Sequence, residues 1–167
     1  CSDDLHAVAA FVAELCSGSP IGIVGFSLSG NVVLKYVGES PERVVPAVDR
    51  AMTVNPPIDL EGCVLSLDRF SNRHYGRFFV KQLQRSVESL RRSHPDVAIP
   101  SAYANPRRLY DFDDQYTSRM VGFGSAAEYY NRCSAAQFLH RIEVPTLILT
   151  ARDDPLVPIA SFNGVNV

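Results

Sequence analysis

The sequence lacks several features that identify common classes of protein. No apolar run approaches the roughly 20 residues that a transmembrane helix needs, and no basic segment followed by an apolar one opens the chain as in a secretory signal. It also has no P-loop, no glycine-rich dinucleotide motif and no cluster of His, Cys and Asp at metal-ligand spacing. We therefore expect no membrane span in this chain and no metal or organic cofactor.

Cysteine content and net charge bear on location and partners. Cys1, Cys16, Cys63 and Cys133 include no C-x-x-C pair. Cys16 and Cys63 lie among apolar residues and are expected to be buried thiols, which favours a reducing, cytoplasmic compartment. The net charge of −2 predicts no bulk attraction to nucleic acid or to an anionic membrane. Oligomeric state is not indicated.

Short apolar segments alternate with segments of helical period. Strands are predicted at 21–24, 47–55 and 146–151, and helices at 2–15 and 28–38. Strands joined by helical crossovers indicate an α/β fold with a parallel sheet, and near-continuous apolar strands favour a sheet covered on both faces. Three strands make only part of a doubly wound sheet, so unpaired edges and half-covered faces are also expected.

The segment between the second and third strands, 56–144, is much longer than one crossover helix needs. A long helix over 70–92 carries an apolar stripe and a basic face from Arg69 to Arg92, which is expected to be solvated, although phosphate groups or an acidic partner could meet it. Two short helices follow at 126–130 and 135–141. We interpret 60–140 as a mainly helical cap insertion. Its aromatic residues are expected to pack within it; they are Tyr110, Phe112, Tyr129 and Tyr130.

Ser27 is the first candidate for chemistry. It lies in Gly25-Phe26-Ser27-Leu28-Ser29-Gly30, directly after a predicted strand and before a predicted helix. That order is typical of a nucleophile elbow, which exposes the serine hydroxyl above the sheet. The N–H of Leu28 would then be one oxyanion donor. The alternative is an ordinary strand-to-helix turn in which Ser27 only caps the helix.

The second candidate is the pair Asp153-Asp154, just after the third strand. Catalytic groups of open α/β sheets gather at the carboxyl ends of the strands, and a carboxylate there could orient a histidine. Asp154 is favoured because it lies nearer the turn that Pro158 closes. The alternative is a simple Asp-Pro turn.

The candidate catalytic residues do not include a suitable histidine. A base that follows the acid in chain order is expected in this arrangement, yet no histidine follows Asp154. The four histidines, His6, His74, His94 and His140, lie on predicted helices or in a loop and are interpreted as surface or structural residues.

Six segments together resemble the YheT-like branch of the α/β-hydrolase fold, which includes bacterial hydrolases and animal abhydrolase-domain lipases and esterases. They run in the same order along nearly the whole chain: Gly25–Glu39 (GFSLSGNVVLKYVGE), Asn55–Leu60 (NPPIDL), Ser66–Phe79 (SLDRFSNRHYGRFF), Leu109–Thr117 (LYDFDDQYT), Gly122–Ala135 (GFGSAAEYYNRCSA) and Ile142–Pro158 (IEVPTLILTARDDPLVP). Ser29 departs from the glycine that usually closes the elbow.

The resemblance implies a serine hydrolase that acts on carboxylic esters, either acyl lipids or small esters. It assigns Ser27 as nucleophile and Asp154 as the triad acid, and it places the histidine and the first half of the sheet outside this chain. The chain is thus expected to be an internal fragment that is inactive alone. The same site would serve an acyltransferase, and a non-catalytic protein with a binding or structural role is the other alternative.

Overall fold

The computed structural model describes residues 2–99 and 106–165, so Cys1 lies outside the described residues. The chain divides into two compact units. The first, Cys1–Asp59 with Cys133–Val167, is called the sheet unit here, and the second, Leu60–Arg132, the helical unit. The prediction that 60–140 acts as a cap stays a prediction.

The sheet unit contains three parallel strands in the order β1-β2-β3. Their bounds, with those of the two α-helices, are α1 Ser2–Leu15, β1 Ile21–Phe26, α2 Leu28–Glu39, β2 Val48–Val54 and β3 Thr146–Leu149. Three 3₁₀ helices complete the unit: Pro41–Arg43, Ala135–Arg141 and Ile159–Phe162. The predicted α/β fold with a parallel sheet is confirmed, and the strand ends differ from prediction by at most two residues.

The core of the sheet unit lies on one face of the sheet. Val33, Tyr36 and Val37 of α2 pack against Ala51 of β2, and Ile23 of β1 joins them. The 3₁₀ helix Ala135–Arg141 adds Leu139, which packs with Leu34 of α2 in a second apolar cluster. Burial of these apolar side chains supplies the main stabilisation of the unit.

The other face of the sheet is exposed, so the prediction of a sheet covered on both faces is wrong for the described residues. Val24 and Phe26 of β1 are 56% and 63% exposed, and Leu147 and Leu149 of β3 are 52% and 42% exposed. Successive side chains of a strand point to opposite faces, and the helical residues of the core contact the opposite face, which carries Ile23 and Ala51. The prediction of half-covered apolar faces is confirmed.

Cysteine burial is only partly as predicted. Cys63 is buried in the helical unit, whereas Cys16 is exposed. Cys16 lies in the turn after α1, where its N–H donates to the Val12 carbonyl, and that turn runs over the surface. The apolar residues next to Cys16 in the sequence did not predict its burial correctly, because Cys16 lies at a helix end on the surface.

The helical unit is built around one long helix. Its helices are α3 Leu60–Leu67, α4 Arg73–Ser93, α5 Leu109–Phe112, α6 Ser118–Met120 and α7 Ala126–Cys133, with a π-helix at Asp113–Thr117. α4 begins three residues later than predicted and ends one residue later. Its buried residues are Gly76, Val80 and Val87, whereas Phe70 and Phe78, counted in the predicted stripe, are exposed.

A buried carboxyl group organises the aromatic residues of the helical unit. The Tyr130 hydroxyl donates to Asp113 Oδ2 at 2.6 Å, and the Thr117 hydroxyl donates to Asp113 Oδ1 at 2.6 Å. Tyr130 also packs edge-on against Tyr110. Burial raises the pKa of the Asp113 carboxyl, which the hydrogen bonds from Thr117 and Tyr130 oppose. The predicted aromatic packing in this region is therefore confirmed.

Stability should depend on pH through Asp113. The pKa of Asp113 is higher in the folded protein than in the unfolded chain, where it is near 3.9. The neutral carboxyl therefore contributes fully to the free energy of unfolding below the unfolded pKa, and this contribution is lost as pH rises through the folded pKa. The variant Asp113→Asn keeps a neutral group there. Its free energy of unfolding should therefore increase relative to that of the wild type as pH rises from about 4. Urea unfolding across this range measures the effect.

Asp111 offers a control of opposite sign. The hydrogen bond from Arg108 holds the pKa of the Asp111 carboxyl below its ordinary value. Its contribution is present above the unfolded pKa and is lost as pH falls through the folded pKa. Asp111→Asn should thus lose stability relative to the wild type as pH rises. If the free energies of unfolding of the two variants, relative to the wild type, changed equally with pH, the opposite pKa shifts of Asp113 and Asp111 would be contradicted.

Candidate active site

Ser27 joins the end of β1 to the start of α2 with an unusual backbone. Its φ and ψ are 50° and −126°, and it is one of two residues other than glycine with positive φ among those described. Its N–H donates to the Val54 carbonyl at 2.9 Å, and its carbonyl accepts from Gly30 N–H at 2.8 Å. The side chain is exposed and makes no capping hydrogen bond to α2. Such strained positions persist where the surroundings fix them, and they concentrate at functional sites.

Two glycines allow the strand and helix to approach closely at this turn. A Cβ on Gly25 would lie 2.7 Å from the Ser29 carbonyl oxygen and 2.8 Å from Gly30 Cα. A Cβ on Gly30 would lie 2.9 Å from Pro56 Cβ. Both positions therefore require glycine, on steric grounds.

Gly25→Ala should strongly destabilise the protein. The added methyl group meets backbone atoms that cannot rotate away, so β1 and α2 must separate, at a cost of roughly 2–4 kcal/mol. The control is Gly22→Ala in the same strand, whose Cβ would meet only the Arg50 side chain, at 3.4 Å. Urea unfolding of both variants measures the difference, and equal midpoints would refute the steric argument.

Ser29 occupies the place where the elbow motif usually has glycine. Its hydroxyl donates to the Phe26 carbonyl at 2.7 Å and accepts from Phe26 N–H at 3.1 Å. Ser29 is thus compatible with the turn, and its side chain adds a link between the last residue of β1 and the first turn of α2.

Leu28 is the first residue of α2. The N–H groups of a helix's first turn have no acceptor within the helix, and they carry the positive end of its dipole. The Leu28 N–H follows the Ser27 hydroxyl directly in the chain. In a nucleophile elbow, the backbone amide at this position donates to the oxyanion.

Asn55 follows β2 and links the ends of two strands. Its φ is 47°, and its N–H donates to the Leu149 carbonyl at 2.8 Å. Its side-chain oxygen accepts from Ala151 N–H at 2.8 Å, and its side-chain NH₂ donates to Asp154 Oδ2 at 2.7 Å. Asn55 was not among the predicted site residues; an Asn followed by Pro-Pro at a strand end is the available sequence signal.

Asp154 is partly buried, and both of its carboxylate oxygens have defined partners. Oδ2 accepts from Asn55, while Oδ1 accepts the N–H groups of Leu156 and Val157 at 2.7 and 2.9 Å. Three donors hold the carboxylate in one orientation. Its neighbour Asp153 is exposed.

The two candidates lie at the same edge of the sheet. Ser27 follows β1 and Asp154 follows β3, and β2 lies between these strands in a fully parallel sheet. Consecutive residues at the end of β2 contact both of them, because Val54 accepts from Ser27 N–H and Asn55 donates to Asp154. The carboxyl edge of such a sheet is where ligands bind in open α/β folds.

No histidine of the sheet unit's described part is placed at this edge. His6 packs against Tyr36, nine residues after Ser27 and thus about 13 Å further along α2. His140 is exposed and lies two residues after Phe138, whose carbonyl is near Gly38 at the far end of α2. His74 and His94, which belong to the helical unit, are both exposed.

Comparison with known proteins identifies the fold family. Residues 1–163 match the family described as the alpha/beta hydrolase fold. The chain belongs to the α/β-hydrolase fold family. It is 33% identical over 142 residues to a putative esterase YheT of Escherichia coli, covering 83% of this chain and 41% of that protein.

Other α/β-hydrolase relatives carry lipase names. A monoacylglycerol lipase ABHD2 of Danio rerio is 28% identical over 167 residues, covering 94% of this chain and 39% of that protein. A monoacylglycerol lipase structure from Paleococcus ferrophilus aligns over 96% of this chain and 58% of that one, with 16% identity and a TM-score of 0.45. The chain spans about two fifths of the length of these curated relatives.

The residues that the structure describes, 2–99 and 106–165, include neither a candidate membrane span nor a candidate metal site. Within them, no helix combines the length and apolar character that crossing a bilayer requires. Among the same residues, His, Cys, Asp and Glu side chains form no group of three arranged to hold a metal ion.

Proposed function

We propose that this α/β-hydrolase chain supplies the nucleophile and the acid of a serine hydrolase that acts on carboxylic esters. The observation that carries the proposal is the strained backbone of Ser27, which leaves its hydroxyl exposed at the sheet edge where Asp154 is held by three hydrogen bonds. An ordinary turn gives no reason to maintain that backbone conformation.

In the proposed mechanism, Ser27 Oγ attacks the ester carbonyl carbon while a histidine removes the hydroxyl proton. The Leu28 N–H is one donor to the oxyanion that forms. The histidine returns the proton to the departing alcohol, which leaves an acyl-enzyme. Water, activated by the same histidine, then releases the carboxylic acid and restores Ser27.

Asp154 is the proposed triad acid, which orients the histidine and stabilises its protonated form. Asn55 is the proposed positioning residue for Asp154, since its NH₂ group holds Oδ2 at the end of β2. The histidine is proposed to lie outside the 167 residues, because His6 and His140 are placed toward the far end of α2.

The proposed substrates are acyl lipids or small esters, in line with the names of the relatives, a putative esterase and monoacylglycerol lipases. The region 60–140 is the proposed cap that selects among them. A cytoplasmic location is proposed because the sequence has no C-x-x-C pair and Cys63 is buried among apolar residues. An alcohol in place of water would make the same site an acyltransferase.

A non-catalytic role is the competing proposal, and the placement of the histidines favours it for the 167 residues alone. A fluorophosphonate probe separates the two, because it labels only an activated serine. We expect labelling of the product of the complete reading frame, loss of that labelling in Ser27→Ala, and negligible esterase turnover by the 167-residue chain alone. A folded, unlabelled product of the complete reading frame would favour the non-catalytic role.

A further inference from the structure

A groove runs along α4 within the helical unit. It encloses about 640 Å³, a volume typical of pockets for small molecules. One wall is the N-terminal half of α4, and the other includes the segment 106–108. The sequence predicts a solvated basic face on α4, whereas the structure places a second set of cations across this groove.

The groove is lined by five cationic side chains and one carboxylate. Arg73, Arg77 and Lys81 are spaced four residues apart, so they share one face of α4. Arg107 and Arg108 lie on the other wall, and Asp68 is the single acidic lining residue. Cations from two separate segments thus converge on one concave space.

Few of these charges are neutralised within the protein. Arg108 makes two hydrogen bonds to Asp111, and Arg73 lies 4.1 Å from the centroid of the Phe70 ring. In the part of the helical unit that the structure describes, no carboxylate pairs with Arg77, Lys81 or Arg107. Elsewhere on α4, Arg91 pairs with Glu88 at 3.3 Å, whereas Arg85 donates to the neutral side chain of Gln82.

Apart from Gln84, whose side-chain NH₂ donates to the Pro106 carbonyl at 3.1 Å, the remaining lining of the groove is apolar. Leu67, Gly76, Val80 and Pro106 contribute to it, and the aliphatic stems of the Arg and Lys side chains extend the same surface. A Cβ on Gly76 would lie 3.2 Å from the Leu67 carbonyl oxygen, so α3 and α4 are in close contact there. Burial raises the pKa of the Asp68 carboxyl, with Asp111 adding to the effect and Arg108 opposing it.

We propose that the groove binds a single-chain anionic amphiphile. Arg77, Lys81 and Arg107 bind its carboxylate or phosphate head, and the apolar lining accommodates its alkyl chain. A head group paired with several cations explains charges that the protein itself leaves uncompensated. The proposal does not rest on catalysis by Ser27, so binding should persist in Ser27→Ala.

Calorimetric titration of the complete reading-frame product with dodecanoate, below its micellar concentration, tests the proposal. We expect saturable binding with one site per chain. Dodecyl phosphate should bind as well, whereas butanoate and inorganic phosphate should bind at least about tenfold more weakly because they lack the chain. Dodecanol, which has the chain without the charge, should also bind more weakly.

The variant Arg77→Glu/Lys81→Glu reverses two charges inside the groove and should weaken dodecanoate binding at least about tenfold. The matched control is Arg85→Glu/Arg92→Glu, which makes the same charge change on the same helix outside the groove. That control should change the dissociation constant less than twofold. Circular dichroism and thermal melting establish that both variants are folded.

Three results would overturn the proposal. Equal loss of binding in the two double variants would show that only overall charge matters. Absence of saturable binding by monomeric dodecanoate would exclude a pocket for one amphiphile. Binding restricted to vesicles with anionic lipid, with none to monomeric dodecanoate, would assign the basic residues to a membrane surface instead.

Discussion

Replacement of Ser27 by alanine should abolish ester hydrolysis by the complete reading-frame product. Loss of the nucleophile removes the covalent pathway, and comparable removals in serine hydrolases lower kcat by roughly 10⁴-fold or more. Steady-state hydrolysis of a short p-nitrophenyl ester measures kcat and KM separately. The expected loss is in kcat, because the hydroxyl acts in the chemical step.

Ser27→Gly separates catalysis from backbone strain. Glycine adopts positive φ without the steric cost that serine bears at φ 50°. The glycine variant should therefore be as inactive as the alanine variant but about 1 kcal/mol more stable than the wild type. Alanine keeps the Cβ and should bring no such gain. If glycine brought no gain in stability, the backbone at Ser27 would not be strained.

Asp154→Asn should give the second large loss of activity. An amide in place of the carboxylate no longer favours the histidine tautomer and charge that the mechanism needs, and the corresponding change in serine proteases lowers kcat by about 10⁴-fold. The matched control is Asp153→Asn, one residue earlier and exposed. It should retain kcat within a few-fold. Measuring kcat for both variants distinguishes the two adjacent carboxylates.

Asn55→Ala tests how Asp154 is held. The variant removes the donor to Asp154 Oδ2 and the acceptor of Ala151 N–H, while the two N–H groups that bind Oδ1 remain. We expect a smaller loss in kcat than in Asp154→Asn, with KM little changed. An unchanged kcat would leave Asn55 with a structural role only.

The sequence was sufficient to predict the parallel sheet and the turn at Ser27. Apolar runs bounded by Gly and Pro locate strands because their burial is decided locally, and Gly25 and Gly30 permit the close strand–helix contact that the turn requires. Asp154 could be placed near that turn because the carboxyl ends of parallel strands meet at one edge.

Other features depend on contacts between residues that are distant in the sequence, and no local pattern predicts such contacts. The exposure of Val24 and Leu147 follows from which face the helices cover, and the late start of α4 leaves Phe70 outside it. The role of Asn55 arises from its pairing with Asp154, 99 residues later. The groove beside α4 could not be predicted from the sequence, because it forms only when the fold brings Arg107 and Arg77 to the same groove.

Hydrogen bonds within the sheet unit join the two points at which the chain leaves this unit and returns to it. The Ala136 N–H donates to the Ile58 carbonyl at 3.0 Å, and the buried Asn31 side chain binds the Cys133 carbonyl and the Ala135 N–H. Two distant points of the chain are thus neighbours regardless of what joins them. Since lengthening a loop between fixed ends costs little free energy, evolution could exchange the intervening segment while the edge that carries Ser27 and Asp154 keeps its geometry.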